Sequence, residues 1–130
     1  MIRAHTAAVK ALLTAGLPGT TEVYVSRAAG PAPYVVLHPD TGRGTSSRFG
    51  GDTDERTWFF ATHSVGTTTD QAQLLAQSVH TALTDVTPTV TGRVCHPIRP
   101  DQALPVDVQN DGAVTVHLAR DVWRLVTRPA

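Results

Sequence analysis

Ile2, His5, Val9, Leu12 and Leu13 recur at intervals of three and four, the stripe of an amphipathic helix. Gly16 then reads as a left-handed cap and Pro18 as a stop. After that the period changes to two. Glu22–Ser26 (EVYVS) and Tyr34–His38 (YVVLH) read as short strands on either side of the Pro/Gly-rich segment Arg27–Pro33, and so as a hairpin. Four successive large residues in the second strand predict burial on both of its faces.

Pro39–Glu55 breaks the pattern with Gly42, Gly44, Gly50 and Gly51 set among charges. A segment this long without structure of its own is uncommon in a compact domain and is often functional or disordered. A strand follows over Thr57–Val65, where Trp58, Phe59 and Phe60 predict cover on both faces by a core and a second body. Thr68-Thr69-Asp70-Gln71 fits a capping box, opening a helix whose stripe is Ala72, Leu75, Ala76, Val79, Ala82, Leu83 and Val86. Its other face, with Gln73, Gln77, His80, Thr81 and Thr84, is polar yet uncharged, which suits either solvent or another protein. Strands return at Gly92–Ile98, with Pro97 predicting a sheet edge. Val106 and Val108, a turn at Asn110-Asp111-Gly112, and Val114, Val116 and Leu118 make a second hairpin. The last strand continues through Val122, Leu125 and Val126 past an expected bulge near Ala119–Asp121. The order predicts a single α+β domain over 1–130. It has one antiparallel or mixed sheet, two main helices packed on one face and a long β-hairpin loop.

Composition narrows the function. With 130 residues and 41% hydrophobics the chain can build one core, and 16 valines and 19 threonines against 5% aromatics favour strands. Eleven basic and 11 acidic residues cancel, so the overall basic excess of a nucleic-acid binder is missing. One cysteine, Cys95, excludes an intramolecular disulfide and a multi-cysteine metal site. The N-terminus does not read as a secretory signal, and no apolar run is long enough for a membrane helix. These features predict a soluble intracellular domain.

Catalytic motifs are missing. There is no G-x-S-x-G elbow or P-loop, and Gly42-Arg43-Gly44 lacks the third glycine and the following helix of a dinucleotide site. Cys95 and His96 are strand neighbours pointing to opposite faces, so Cys95 reads as a small core residue. The six histidines offer no pair at metal-ligand spacing, and Asp52, Asp54 and Glu55 read as solubilising charges rather than a cation site. No cofactor or metal is expected. By elimination the chain reads as an interaction protein, not an enzyme.

The motifs P-Y-V-V-L at 33–37 and T-x-x-Q-A-x-x-L-A-x-x-V-x-x-A-L at Thr68–Leu83, with RTWFFATHSV before that helix and LARDVWRLVTR near the end, give a pattern across nearly the whole chain. It resembles the tail terminator (tail completion) family of minor tail proteins of long-tailed bacteriophages. The resemblance implies a small α+β protein that forms a ring, usually of six, on the head-proximal end of the tail tube. Its partners would be further copies of itself, the tail tube protein and the head connector or stopper. DNA would pass through the lumen without sequence-specific binding, and no membrane is involved. It implies a location in the virion tail or neck after assembly in the bacterial cytoplasm, and no catalytic residues.

Residues expected at the assembly interface are Arg43, Arg48, Phe49, Asp52, Asp54, Glu55, Trp58, Gln73, Gln77 and His80. The Pro39–Glu55 loop is expected to be mobile in the free protein and to order against the tube or a neighbour. Three alternatives remain open. One is another head–tail joining or neck protein. Another is a small enzyme using a cluster of His63, His96 and Cys95. The third is a nucleic-acid-binding sheet with Arg43, Arg48, Arg56 and Arg93 on one face. A balanced total charge also leaves room for a polarised surface, with arginines turned one way and acids another.

Overall fold

The computed structural model describes residues 2–17, 21–28, 30–39, 45–46, 56–111 and 114–129. The elements run α1 (Ile2–Gly16), β1 (Glu22–Val25), β2 (Tyr34–His38), β3 (Thr45–Ser46), β4 (Arg56–Gly66), α2 (Thr69–Leu83), β5 (Arg93–Cys95), β6 (Arg99–Ala103), β7 (Asp107–Asp111) and β8 (Val114–Pro129). All strands belong to one mixed sheet ordered β1-β2-β4-β8-β5, with β3 also on β4 and with β6 and β7 also on β8. Both helices lie on one face, so the α+β architecture read from the sequence holds.

The long strands β4 and β8 form the spine, paired without interruption from Arg56 opposite Thr127 to Gly66 opposite His117. Alternation then assigns the faces. Trp58, Phe60, Trp123 and Leu125 point toward the helices with Val35 and Leu37 of β2, and meet Val9 and Leu13 of α1 and Val79 and Leu83 of α2. Trp123 is fully buried, and its indole N–H donates to Thr62 Oγ1 at 2.9 Å, which satisfies the one polar group that a buried tryptophan brings.

Thr68 caps α2, its hydroxyl accepting from Gln71 N at 3.1 Å. Gln71 Oε1 reaches back one residue further than the simple capping box, accepting from Thr67 N and Thr67 Oγ1. His117 Nδ1 of β8 lies 2.9 Å from Thr69 Oγ1 and ties that end of the helix to the sheet.

Several sequence expectations need correction. β1 and β2 are not a hairpin; they run parallel, from Glu22 beside Tyr34 to Val25 beside Leu37. The eight connecting residues suffice, because an extended chain of that length reaches about 26 Å and the return along a four-residue strand needs only about 13 Å. Gly16 does not adopt a left-handed cap but is the last residue of α1. It is small because a Cβ there would sit 2.6 Å from the Cβ of Ala82, so the two helices touch at this point. The bulge expected in the last strand falls instead in its partner: Pro100 faces Trp123 and Gln102 faces Val122, leaving Asp101 as the extra residue of β6. β6 (RPDQA) was not foreseen, and every one of its residues is exposed. The second hairpin forms, but Asn110 and Asp111, expected in its turn, are instead paired in β7 with Thr115 and Val114 of β8. Within Pro39–Glu55, Thr45 and Ser46 form β3 against Thr57 and Arg56, so that stretch contributes a short strand.

Candidate functional site

Arg43, Arg48, Phe49, Asp52, Asp54 and Glu55 lie outside the described residues. The remaining four expected interface residues divide by exposure. Gln73 and Gln77 are exposed on the outer face of α2, where Leu74 is 57% exposed between them. The neighbouring hydroxyls are turned inward to their own helix, Ser78 Oγ donating to Leu74 O and Thr81 Oγ1 to Gln77 O. From Gln73 to Thr81 the face is therefore uncharged and partly apolar, with the exposed Asp70 at its N-terminal end. Trp58 is engaged inside the fold, and His80, partly exposed, is engaged with the sheet. Trp58 is buried in the helix-side core with its ring 4.7 Å from that of His5. His80 reaches down to β8, where its Nε2 lies 3.1 Å from Oδ1 of the buried Asp121 and its ring is 4.8 Å from Trp123. A carboxylate in that position needs such a donor, because an unpaired buried charge is strongly destabilising.

The aromatic that β4 presents outward is Phe59, 38% exposed, on the face away from the helices. Trp58 and Phe60, on the other face, are buried in the helix-side core. Exposed apolar residues also mark the margins of the sheet: Val25 on β1, Val94 on β5 and Val108 on β7. Among the described residues β1 pairs only with β2, and β5, β6 and β7 pair only with β8. The sheet thus ends in two unlike edges. Unpaired backbone donors and acceptors at such edges are ready to take another strand.

The face away from the helices also carries a concavity of about 220 Å³, reached by the β1–β2 connection at Ser26 and by Gln109 of β7. His38 and His63 line it, their ring centroids 4.2 Å apart. Sequence spacing did not bring these two together; register does, since Val36 pairs with His63 and His38 with Ala61. Burial pushes the His63 pKa down to about 4, with His38 and then Arg120 adding repulsion, and burial also lowers His38. Among the described residues no group of three or more His, Cys, Asp or Glu converges on a metal position.

The cluster of His63, His96 and Cys95 considered for an enzyme does not form. Cys95 pairs with Thr127, opposite Arg56, seven residues along β4 from His63 or about 23 Å. Cys95 packs against the core, and burial raises its pKa. Arg93 is directed at Thr127 Oγ1, 2.8 Å from its guanidinium nitrogen, on the helix side. Among the described residues no helix is long and apolar enough to cross a membrane.

No protein-family model matches the chain, and no curated protein matches it. Solved structures do share its fold. One chain, from a structure described as the virion of a native gene transfer agent particle, superposes with a TM-score of 0.67 at 18% identity, covering 94% of this chain and 92% of that one. Another solved chain matches with a TM-score of 0.57 at 13% identity, covering 98% of this chain and 93% of its own length.

Proposed function

We propose that this chain is a structural virion protein that closes the head-proximal end of a phage-type tail tube. In this reading it forms a ring, of six copies by the family resemblance, that ends tube growth and offers a docking face to the head connector. DNA passes through its lumen, and the protein works in the tail or neck of a particle assembled in the bacterial cytoplasm. The observation that carries the reading is the end-to-end fold match to a chain of a gene transfer agent virion.

The surface supports it physically. A ring needs heterologous contacts, in which one surface meets a different one on the next copy and rotation closes the circle. Two unlike sheet edges bearing Val25 on one side and Val94 and Val108 on the other are suited to that. The outer face of α2 from Gln73 to Thr81, centred on Leu74 and Gln77 and without charge, is a further contact surface of low desolvation cost. No step of the reading is enzymatic.

A second reading is another head–tail joining protein of the neck, because a fold match to a chain of a virion fixes no position within the particle. Tube length separates the two. Tube protein polymerised with the wild-type chain is expected to give tubes capped at one end by rings in electron micrographs, and particles lacking the chain to have overlong tubes. Tubes of normal length that fail to join heads would instead favour the neck reading. Deleting Gly42–Gly51 is expected to leave a folded domain that no longer terminates tubes.

A further inference from the structure

The charges of this neutral chain are not evenly spread. On β8, Arg120, Arg124 and Arg128 recur every fourth residue and so project from the face away from the helices, as Val122 and Val126 do between them. At the rise of a strand the three stand about 13 Å apart, a row of about 27 Å. None forms an ion pair with a described residue, whereas Arg99, opposite Arg124 on β6, is held by Asp85 at 2.8 Å. Arg120 Nε is buried without a hydrogen-bond partner. Across the strand pair, Phe59 faces Arg124 and His63 faces Arg120. Among the described residues the acids at positions sharing this face by alternation, Glu22, Asp107 and Asp111, are placed toward the concave end, and Asp107 Oδ1 already accepts from Val108 N. From Arg120 to Arg128 the strand carries one acid, Asp121, turned to the other face and bound to His80.

We propose that this arginine row is a contact surface for the phosphate backbone of duplex DNA, without base recognition. Guanidinium groups suit phosphate by charge and by their fork of donors. Three like charges at long, even spacing would need a specially matched acidic patch on a protein, but a duplex presents phosphates at every register along such a row. The apolar residues between the arginines offer no donors for base edges, which fits sequence-independent contact. The contact needs only one copy, so it is independent of ring formation and goes beyond it.

The test is fluorescence anisotropy of a labelled mixed-sequence duplex titrated with the full-length protein over a range of salt. Binding is expected to be weak and to fall with salt, with a log–log slope of about −2 to −3 for three phosphate contacts. Arg124→Gln and Arg128→Gln should each reduce the slope by about one with unchanged circular dichroism, since both side chains are exposed. Lys10→Gln on α1 should change nothing. Bound phosphate beside Arg120 should also raise the His63 titration midpoint, read from its ring-proton resonances. Three results would overturn the proposal: no salt-dependent binding, binding indifferent to both arginine variants, or variants that lose self-association while wild type ignores DNA. The last would assign the row to a second copy of the chain.

Discussion

His63 stays neutral well below the ordinary histidine range, because burial withdraws its ring from water and its neighbours are His38 and the Arg120 guanidinium. An unfolded chain takes up this proton as pH falls through about 6.5, whereas the fold resists until about 4. Protons therefore bind the unfolded state preferentially in that window, so stability falls between those two values and this group adds nothing further below them. His38, lowered by burial, acts in the same direction. His63→Gln is expected to match wild type above pH 7 and to lose less Tm on going to pH 4.5, measured by thermal unfolding at both values. Equal losses would mean that the ring is solvated after all. Nothing local in the sequence pointed to this pair, because 24 residues separate its members and only the β2–β4 register makes them neighbours. Likewise, His80 reads as part of an outer helix face by periodicity alone, and only the placement of Asp121 beneath it turns the ring inward.

At the scale of elements, what the sequence made legible is what local periodicity controls. Both helices, the capping of α2 at Thr68 and the β7–β8 hairpin depend on residues within a turn or two of each other. The parallel pairing of β1 with β2 was not legible, since a Pro/Gly-rich connection of eight residues serves a hairpin or a return crossover equally. β6 was not legible either: Arg-Pro-Asp-Gln-Ala has no strand propensity, and its pairing is imposed by the long partner β8. Gly16 was recognised as special for the wrong reason, and the helix contact makes a testable difference. Gly16→Ala would improve helix propensity by up to about 1 kcal/mol if the site were open. Here the added methyl meets the Ala82 Cβ at 2.6 Å, and overpacking of this kind costs about 1–3 kcal/mol. The expected net result is destabilisation by about 1–2 kcal/mol, read from urea unfolding, and the Gly16→Ala/Ala82→Gly pair should be no less stable than Ala82→Gly alone. A Gly16→Ala protein more stable than wild type would refute the contact.

For the whole molecule, the unlike edges of the sheet make a sharper statement than the presence of a ring. If β1 of one copy meets the β5–β7 edge of the next, each copy uses two different surfaces, and blocking either should stop growth. Val25→Lys places a charge on the β1 edge, and Val108→Lys does the same on β7; both positions are already exposed, so the fold should tolerate the change. Sedimentation velocity at concentrations where wild type forms rings is then expected to find each variant monomeric. An equimolar mixture should differ from both. Each variant retains the edge that the other lacks, so the mixture should form one-to-one dimers and stop there. A contact between identical edges predicts the opposite, because the variant with that edge intact would pair with itself. Dimers in either single variant, or a mixture that remains monomeric, would exclude head-to-tail edge pairing and move the assembly contact to the outer face of α2.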